Sequence, residues 1–408
     1  MVMPAPAVSG TGGAAPGTVG DVRRSNLALV LGGIAEFPPG TCPSRAQVAA
    51  ATGLTKASVS SLVLDLLDAG IIREVGLNPQ GRGRPGVGLE LNPSRAVMGM
   101  EINVDYISAA VVDLSGKVLI REVKERDNRN SAHAPVLAAL AALAVRVRSS
   151  AGERGVEVLG GGLAVPGLVD PARARVLTAP NLGWVDVDLD LDALLPEAPL
   201  GVALFNEANA AALAELRDRP DGASDFLFVS GEVGVGGGIV LGSELFTGPE
   251  GHAGEVGHIV VDPEGGHCSC GGTGCLETVA GQDAIFAAAG LVPDTGSRSA
   301  SMSALLQALK AAEPGAVTAV ERAGRSLGIA LASAARVVDI QSVVLGGHFA
   351  LLEPWLRGPL LESLGKYAPG KYAPERVAVS AVGEAGALLG SAGSVIRSLM
   401  EAPHRLHA

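Results

Sequence analysis

The sequence predicts an α/β protein in two parts: a small helical head finished by a β-hairpin, then a larger body of two α/β halves with a cleft between them. Three observations lead to this. Residues 22–75 carry three successive helical apolar stripes, with a tight glycine turn between the second and third. From Ala96 the texture changes to short apolar runs of strand length followed by helices, and this theme occurs twice, opening at Val97 and again at Phe226. Apolar residues make up 48% of the 408 and charged residues 18%, which builds sizeable cores and excludes general disorder.

At about 150 residues per domain the length suggests two or three units. Aromatic residues supply only 3%, so the cores rest on Ala, Val, Leu and Ile. The net charge of −11 argues against a protein that coats nucleic acid over its whole surface. Charge is uneven, however. Residues 1–95 hold eight Lys/Arg against six Asp/Glu, and the remainder holds 23 against 36. A mildly basic head on an acidic body suits one DNA-touching module attached to something else. The N-terminus has neither a basic region nor an apolar core of the signal-peptide kind, and the apolar stretch Pro135–Val145 is too short to span a bilayer. A cytoplasmic protein with no membrane partner is the expectation.

Residues 1–20 are rich in Gly, Ala and Pro and read as a disordered tail, with the head over 21–95. The first helix, Val22–Ala35, aligns Leu27, Val30, Leu31 and Ile34 on one stripe. The second, Arg45–Ala51, follows Ser44 as N-cap. The third begins after Thr55, another candidate N-cap, and runs to Ala69, with Gly70 placed to end it and Val59, Val63, Leu66 and Leu67 on one face. Helix, Thr52-Gly53-Leu54 turn, helix is a helix-turn-helix. The first turns of the third helix offer Thr55, Lys56, Ser58, Ser60 and Ser61 to a major groove. Strands Ile71–Val75 and Gly88–Leu91 flank a loop in which Arg82 and Arg84 surround Gly83, a wing able to enter a groove. A three-helix unit can also serve protein contacts; the order helix, turn, helix and basic wing favours operator DNA as the partner.

The body occupies 96–408. Val97–Asn103, Ile107–Asp113 and Lys117–Val123 read as strands, Pro135–Arg148 as a helix, Val158–Val165 and Val202–Phe205 as buried strands, and Ala208–Leu216 as a helix. The second half repeats this with strands Phe226–Val229 and Gly238–Leu241, a helix over Ala316–Val338, strand Ser342–Leu345 and a closing helix, Ala387–Glu401.

The strongest local signal is Gly254-Glu-Val-Gly-His258 followed by Cys268, Cys270 and Cys275. Three cysteines within eight residues read as metal binding in a reducing compartment, not as a disulfide scaffold. With His258 they supply four ligands suited to tetrahedral Zn2+, and no open position remains, so the site reads as structural. His267 is a rival ligand by spacing.

With these residues assembled, the chain resembles the ROK family of repressors, open reading frames and sugar kinases, over about residues 21–400. The marks are the winged helix, Ala164-Val-Pro-Gly167, Asn206-Glu-Ala-Asn209, Gly234-Val-Gly-Gly-Gly238, the His/Cys block and Leu345-Gly-Gly347. The resemblance implies an actin-like, sugar-kinase-like bilobal body. It places sugar hydroxyls against Asn206, Glu207, Glu255, His258 and Glu277, with loops at Gly167 and Asn181 lining the same pocket. Zinc on one nitrogen of His258 would leave only the other for a sugar. Trp184 is either a platform for a pyranose face or a core residue.

Two departures separate this chain from the family's kinases, whose first lobe opens with an Asp-x-Gly-Gly-Thr type loop that receives ATP phosphates. Here the place reads Glu101-Ile-Asn-Val-Asp105. Asn103 and Val104 fill the space of both glycines, and Asp105 adds negative charge where Thr would donate a hydrogen bond. Glu207 stands one methylene longer than the family's catalytic Asp, and a misplacement of about 1 Å can cost about a hundredfold. The glycine-rich loop Gly231–Gly238 is intact and reads as a tight hairpin. The resemblance is therefore to the xylose-repressor-like regulators: a non-enzymatic, sugar-responsive repressor acting as a homodimer or tetramer. An active sugar kinase with a DNA-binding head is the alternative, and a repressor blind to sugars a third reading.

Overall fold

The structure, a computed structural model, describes residues 19–38, 40–76, 87–219, 224–291 and 298–407. It comprises two compact units, Met1–Asn92 with Arg397–Ala408, and Pro93–Ile396.

In the first unit, helices α1 (Val19–Ala35), α2 (Arg45–Thr52) and α3 (Lys56–Asp68) precede strands β1 (Ile72–Gly76) and β2 (Val87–Leu91), which pair antiparallel. Helix α2 starts on a capping box: Ser44 accepts from the Gln47 amide and Gln47 accepts from the Ser44 amide. It stops at Gly53, whose φ of +72° only glycine adopts freely. Leu27, Val30, Leu31 and Ile34 are buried as their spacing requires. On α3 the buried set is Val59, Leu62, Val63 and Leu66, while Leu67 is only half-buried, so the core-facing stripe is rotated from the expected one. Arg82 and Arg84 lie outside the described residues, as does most of the N-terminal tail; the helix already begins at Val19. The C-terminal residues from Arg397 group with this unit, where a 3-10 turn, Pro403–His407, packs on α1. By sequence they fall with the body over 96–408, because a contact between chain ends leaves no local pattern.

The second unit holds two lobes. Lobe one contains β3 (Arg95–Ile102), β4 (Tyr106–Asp113), β5 (Val118–Glu125), α4 (His133–Gly152), β6 (Glu157–Val165), a small sheet of β7 (Leu168–Asp170), β8 (Arg175–Ala179) and β9 (Trp184–Asp188), then β10 (Val202–Asn206) and α5 (Glu207–Asp218). Lobe two contains β11 (Phe226–Gly231), β12 (Val235–Leu241), β13 (Glu244–Phe246), α6 (Glu277–Ala280), α7 (Gln282–Ala288), α8 (Arg298–Lys310), α9 (Pro314–Val338), β14 (Val343–Gly346), α10 (Gly347–Tyr367), β15 (Val377–Val379) and α11 (Gly386–Glu401).

The main sheets run β10-β6-β3-β4-β5 and β13-β12-β11-β14-β15. In each, the first three strands pair antiparallel and the last two add in parallel on the other side of the first. The lobes are thus two copies of one topology. Helix α9 shows why its residues form a packed helix: Ala316, Val320, Ala323, Leu327 and Leu331 follow the helical period and are buried against the lobe-two core. Among the described residues α4 is the one helix long and apolar enough to cross a membrane. Its Val136, Leu140, Leu143 and Val147 are instead buried in the lobe-one core with Met98, Met100 and Leu163.

Candidate functional site

The segment after β13 folds back so that His258, Cys268, Cys270 and Cys275 converge, with their donor atoms all within 4.8 Å of one another. His258 Nδ1 lies 3.6 Å from Cys268 Sγ, and Cys270 Sγ lies 3.8 Å from Cys275 Sγ. Donors at about 2.3 Å on the corners of a tetrahedron stand about 3.8 Å apart, so the four atoms fit one zinc-sized ion. Gly274 makes the fold-back possible: its φ is +72°, and a Cβ there would lie 1.7 Å from the Asp262 carbonyl oxygen. His267 turns instead to Thr273 Oγ1, 3.3 Å from its Nδ1, and is not part of the group. The other nitrogen of His258, Nε2, is 3.6 Å from Glu255 Oε2. One ring therefore faces the cysteines on one side and the cleft on the other.

That cleft lies between the lobes and holds about 1020 Å³ of space including its open mouth. Gly167, Asn181, Asn206, Glu207, Glu255, His258 and Glu277 all line it. Asn206 is the N-cap of α5: its Oδ1 accepts from the Asn209 amide at 2.9 Å and its Nδ2 donates to the Gly167 carbonyl at 2.8 Å. Each atom keeps one further hydrogen-bonding position for a ligand. Glu277 accepts from the Val235 amide at 3.1 Å, against a bare Gly234 whose Cβ would meet Glu277 Oε2 at 2.1 Å. Trp184 is not a platform. It is 2% exposed in the lobe-one core, and its Nε1 donates to the Ser131 carbonyl at 2.7 Å.

The β3–β4 turn closes one end of the cleft with side chains. Asn103 and Val104 are buried, and Asn103 Nδ2 donates to Glu207 Oε1 at 2.7 Å. Behind it, Glu101 accepts from Tyr106 Oη at 2.8 Å and Ser108 Oγ at 3.1 Å. Glu232, in the β11–β12 turn, lines the same cavity from the opposite lobe. Burial pushes the Glu101 carboxyl up to about 7 despite those hydrogen bonds, and pushes Glu232 up to about 8, with Glu101 and Glu384 adding to the shift. Burial raises Glu207 well above the carboxylate range, and the charges of Glu232 and Glu101 raise it further. Asp105 rises to about 6 by burial, opposed by Arg129. The sequence reading missed Glu232 and Glu384. The visible signal was a single charge inside an otherwise glycine-rich hairpin.

In the other unit, Thr55 caps α3, accepting from the Ser58 amide at 3.1 Å, with its Oγ1 2.9 Å from Ser58 Oγ. Thr55, Lys56, Ser58, Ser60 and Ser61 are all exposed on the first turns of the helix. Ser61 additionally accepts from Arg23 of α1 at 3.4 Å.

A family model described as the ROK family matches residues 97–397. The chain belongs to the ROK family. Among its relatives is the xylose repressor of Bacillus subtilis (strain 168), 28% identical over 326 residues that cover 79% of this chain and 82% of the relative. A crystal structure of a ROK family transcriptional regulator, a homologue of the E. coli MLC protein, covers 95% of this chain and 100% of its own at 26% identity and a TM-score of 0.72. The ROK glucokinase of Streptomyces griseus, solved with glucose and AMPPNP, covers 73% of this chain and 98% of its own at 27% identity and a TM-score of 0.60. The regulator thus matches both head and body, while the kinase covers a smaller share. The ROK body here has the sugar-kinase fold.

Proposed function

We propose that this chain is a sugar-responsive transcriptional repressor that binds operator DNA through α3 and the arginine-bearing wing, and carries no kinase activity. The observation that carries the reading is the β3–β4 turn. Side chains occupy the place that a phosphate would need, and Asn103 holds Glu207 in a hydrogen bond inside the cavity. A general base must reach the proton it removes, and a carboxylate engaged by an amide and pushed toward its neutral form is poorly placed for that. The whole-length match to a ROK regulator and the exposed polar start of α3 support the DNA-binding half of the proposal.

In this reading Lys56, Arg82 and Arg84 contact phosphates or a groove, and Ser58, Ser60 and Ser61 meet base edges. A homodimer would read two half-sites about 34–36 Å apart or a multiple of that spacing. A sugar whose hydroxyls reach Asn206, Glu207, Glu255, His258 and Glu277 releases the operator if it binds one lobe arrangement better than the other. His258, Cys268, Cys270 and Cys275 would hold a structural Zn2+, which fixes His258 by Nδ1 and leaves Nε2 to the cavity. A DNA partner places the protein in the cytoplasm.

The test is fluorescence anisotropy with a duplex from the region upstream of the protein's own gene, at two salt concentrations, followed by a sugar panel. Salt-sensitive, sequence-preferring binding released by a sugar is the expected result, and K56A should reduce the salt slope by about one. ATP consumption that depends on a sugar and Mg2+, and is abolished by E207Q, would replace this reading with the kinase. Operator binding that no sugar alters would leave a repressor without this effector site.

A further inference from the structure

The cleft has an unusual charge inventory. Among the described residues that line it are six carboxylates, Glu101, Glu207, Glu232, Glu255, Glu277 and Glu384, and no Lys or Arg. Cations act on these carboxyls from outside the lining: Arg121 on Glu101 and Arg129 on the neighbouring Asp105. A bound anion in such a place needs a guanidinium, an ammonium or the N-terminus of a helix. Three long helices start at this cavity, and each start already carries a carboxylate of the chain. Glu207 is the first residue of α5. Glu232 Oε1 lies 2.7 Å from the position that a Cβ would take on Gly347, the first residue of α10. Glu384 stands just before Gly386, the first residue of α11. Of the two turns that could cradle a phosphate, one is closed by Asn103 and Val104, and the other presents the carboxyl of Glu232 to the cavity.

From this arrangement we infer that the cavity selects its effector by charge: it takes a neutral sugar or an amino sugar, and rejects sugar phosphates, sugar acids and nucleotides. The inference rests on the reading of the cleft as a sugar site and narrows its ligand class. A ligand phosphate would find no cation in the lining to take its charge, and each glutamate that ionises beside it adds like-charge repulsion.

Isothermal titration of the full-length, metal-loaded protein at pH 8 tests this, with glucose, xylose, N-acetylglucosamine and glucosamine set against glucose 6-phosphate, N-acetylglucosamine 6-phosphate and glucuronate, each with and without Mg2+. The expected result is binding of at least one non-anionic sugar, with its anionic derivative at least about 100-fold weaker. E232Q should narrow that ratio by about tenfold. E384Q, at an exposed position, should narrow it less and covers the case in which E232Q does not fold. An anionic derivative that binds as tightly as its parent, in either buffer, overturns the inference and leaves the sugar-responsive repressor standing. A ratio unchanged in both variants removes the carboxylates as its cause and overturns it too. No binding by any sugar overturns the inference together with the effector half of the proposed function.

Discussion

The two lobes place the same hairpin at the same edge of the cleft and fill it in opposite ways. In lobe one the turn between β3 and β4 is packed solid: Asn103 bonds Glu207, the Asn103 carbonyl accepts from Asn128 Nδ2 at 2.7 Å, and Val104 is buried. In lobe two the turn between β11 and β12 keeps bare backbone at Gly234 and contributes one acidic side chain, Glu232. The means of support differ likewise. Lobe one rests on a continuous apolar core around Met98, Leu163 and Trp184, whereas the segment of lobe two that carries Glu255, His258 and Glu277 is short, irregular and gathered around the His/Cys group. A shared topology therefore fixes where a turn sits, while a few side chains decide whether that turn can receive a phosphate.

The sharpest way to break the comparison is to remove one of the four converging side chains. If they hold the proposed zinc, C275S should lose the ion and destabilise the protein by about 3–5 kcal/mol, because metal-binding energy at such a site is folding energy for its segment. Hydrogen exchange should rise in peptides spanning 256–280 and stay unchanged in β3–β6. Equal loosening of both lobes would show that the metal group does not support lobe two alone. Next in size is W184A, which empties a large side chain from the lobe-one core and should cost about 3–5 kcal/mol in a urea titration. Lost sugar affinity at unchanged stability would return Trp184 to the ligand.

The carboxylates facing each other across the cleft predict a pH dependence with a definite sign. Unfolded glutamates titrate at about 4.3, whereas in the fold Glu101 stands at about 7 and Glu232 at about 8. The native state therefore holds more protons between those limits. Its stability is fully present below the unfolded value and declines as pH rises through 7 and 8. The Tm should be lower at pH 9 than at pH 6 by about 5 °C, and E232Q should flatten the slope. A Tm that climbs over this range would contradict the burial of these groups. The smallest effect is expected from N103A, at about 1–2 kcal/mol, since it strips a buried carboxyl of one hydrogen bond without opening a large cavity. Measured beside E232Q, it separates the packed turn from the charged one.

Much of the site was legible because its signals are local. The His/Cys spacing singled out the four side chains that converge, whereas the seven that line the cleft came from the family resemblance of their motifs. The head was legible through its caps and its helical stripes, although the rotation of α3 from Leu67 to Leu62 was not, because two neighbouring leucines fit either stripe. The short strands β7–β9, β13 and β15 escaped notice, being three to five residues long and without a clear alternation.

By itself the sequence determined the order of the longer strands and several of the helices, most of the apolar faces that build both cores, the glycines that permit tight turns, and the residue types gathered in the His/Cys group, since each follows from residue chemistry within a few turns of chain. Only the tertiary structure decided which of two histidines faces the cysteines, that Trp184 is core, that the C-terminal turn joins the head, and that Glu101, Glu207 and Glu232 share one cavity. Those outcomes depend on residues separated by tens to hundreds of positions. Their charges and shapes act on one another only after folding has brought them together, where low dielectric and close packing make each neighbour count.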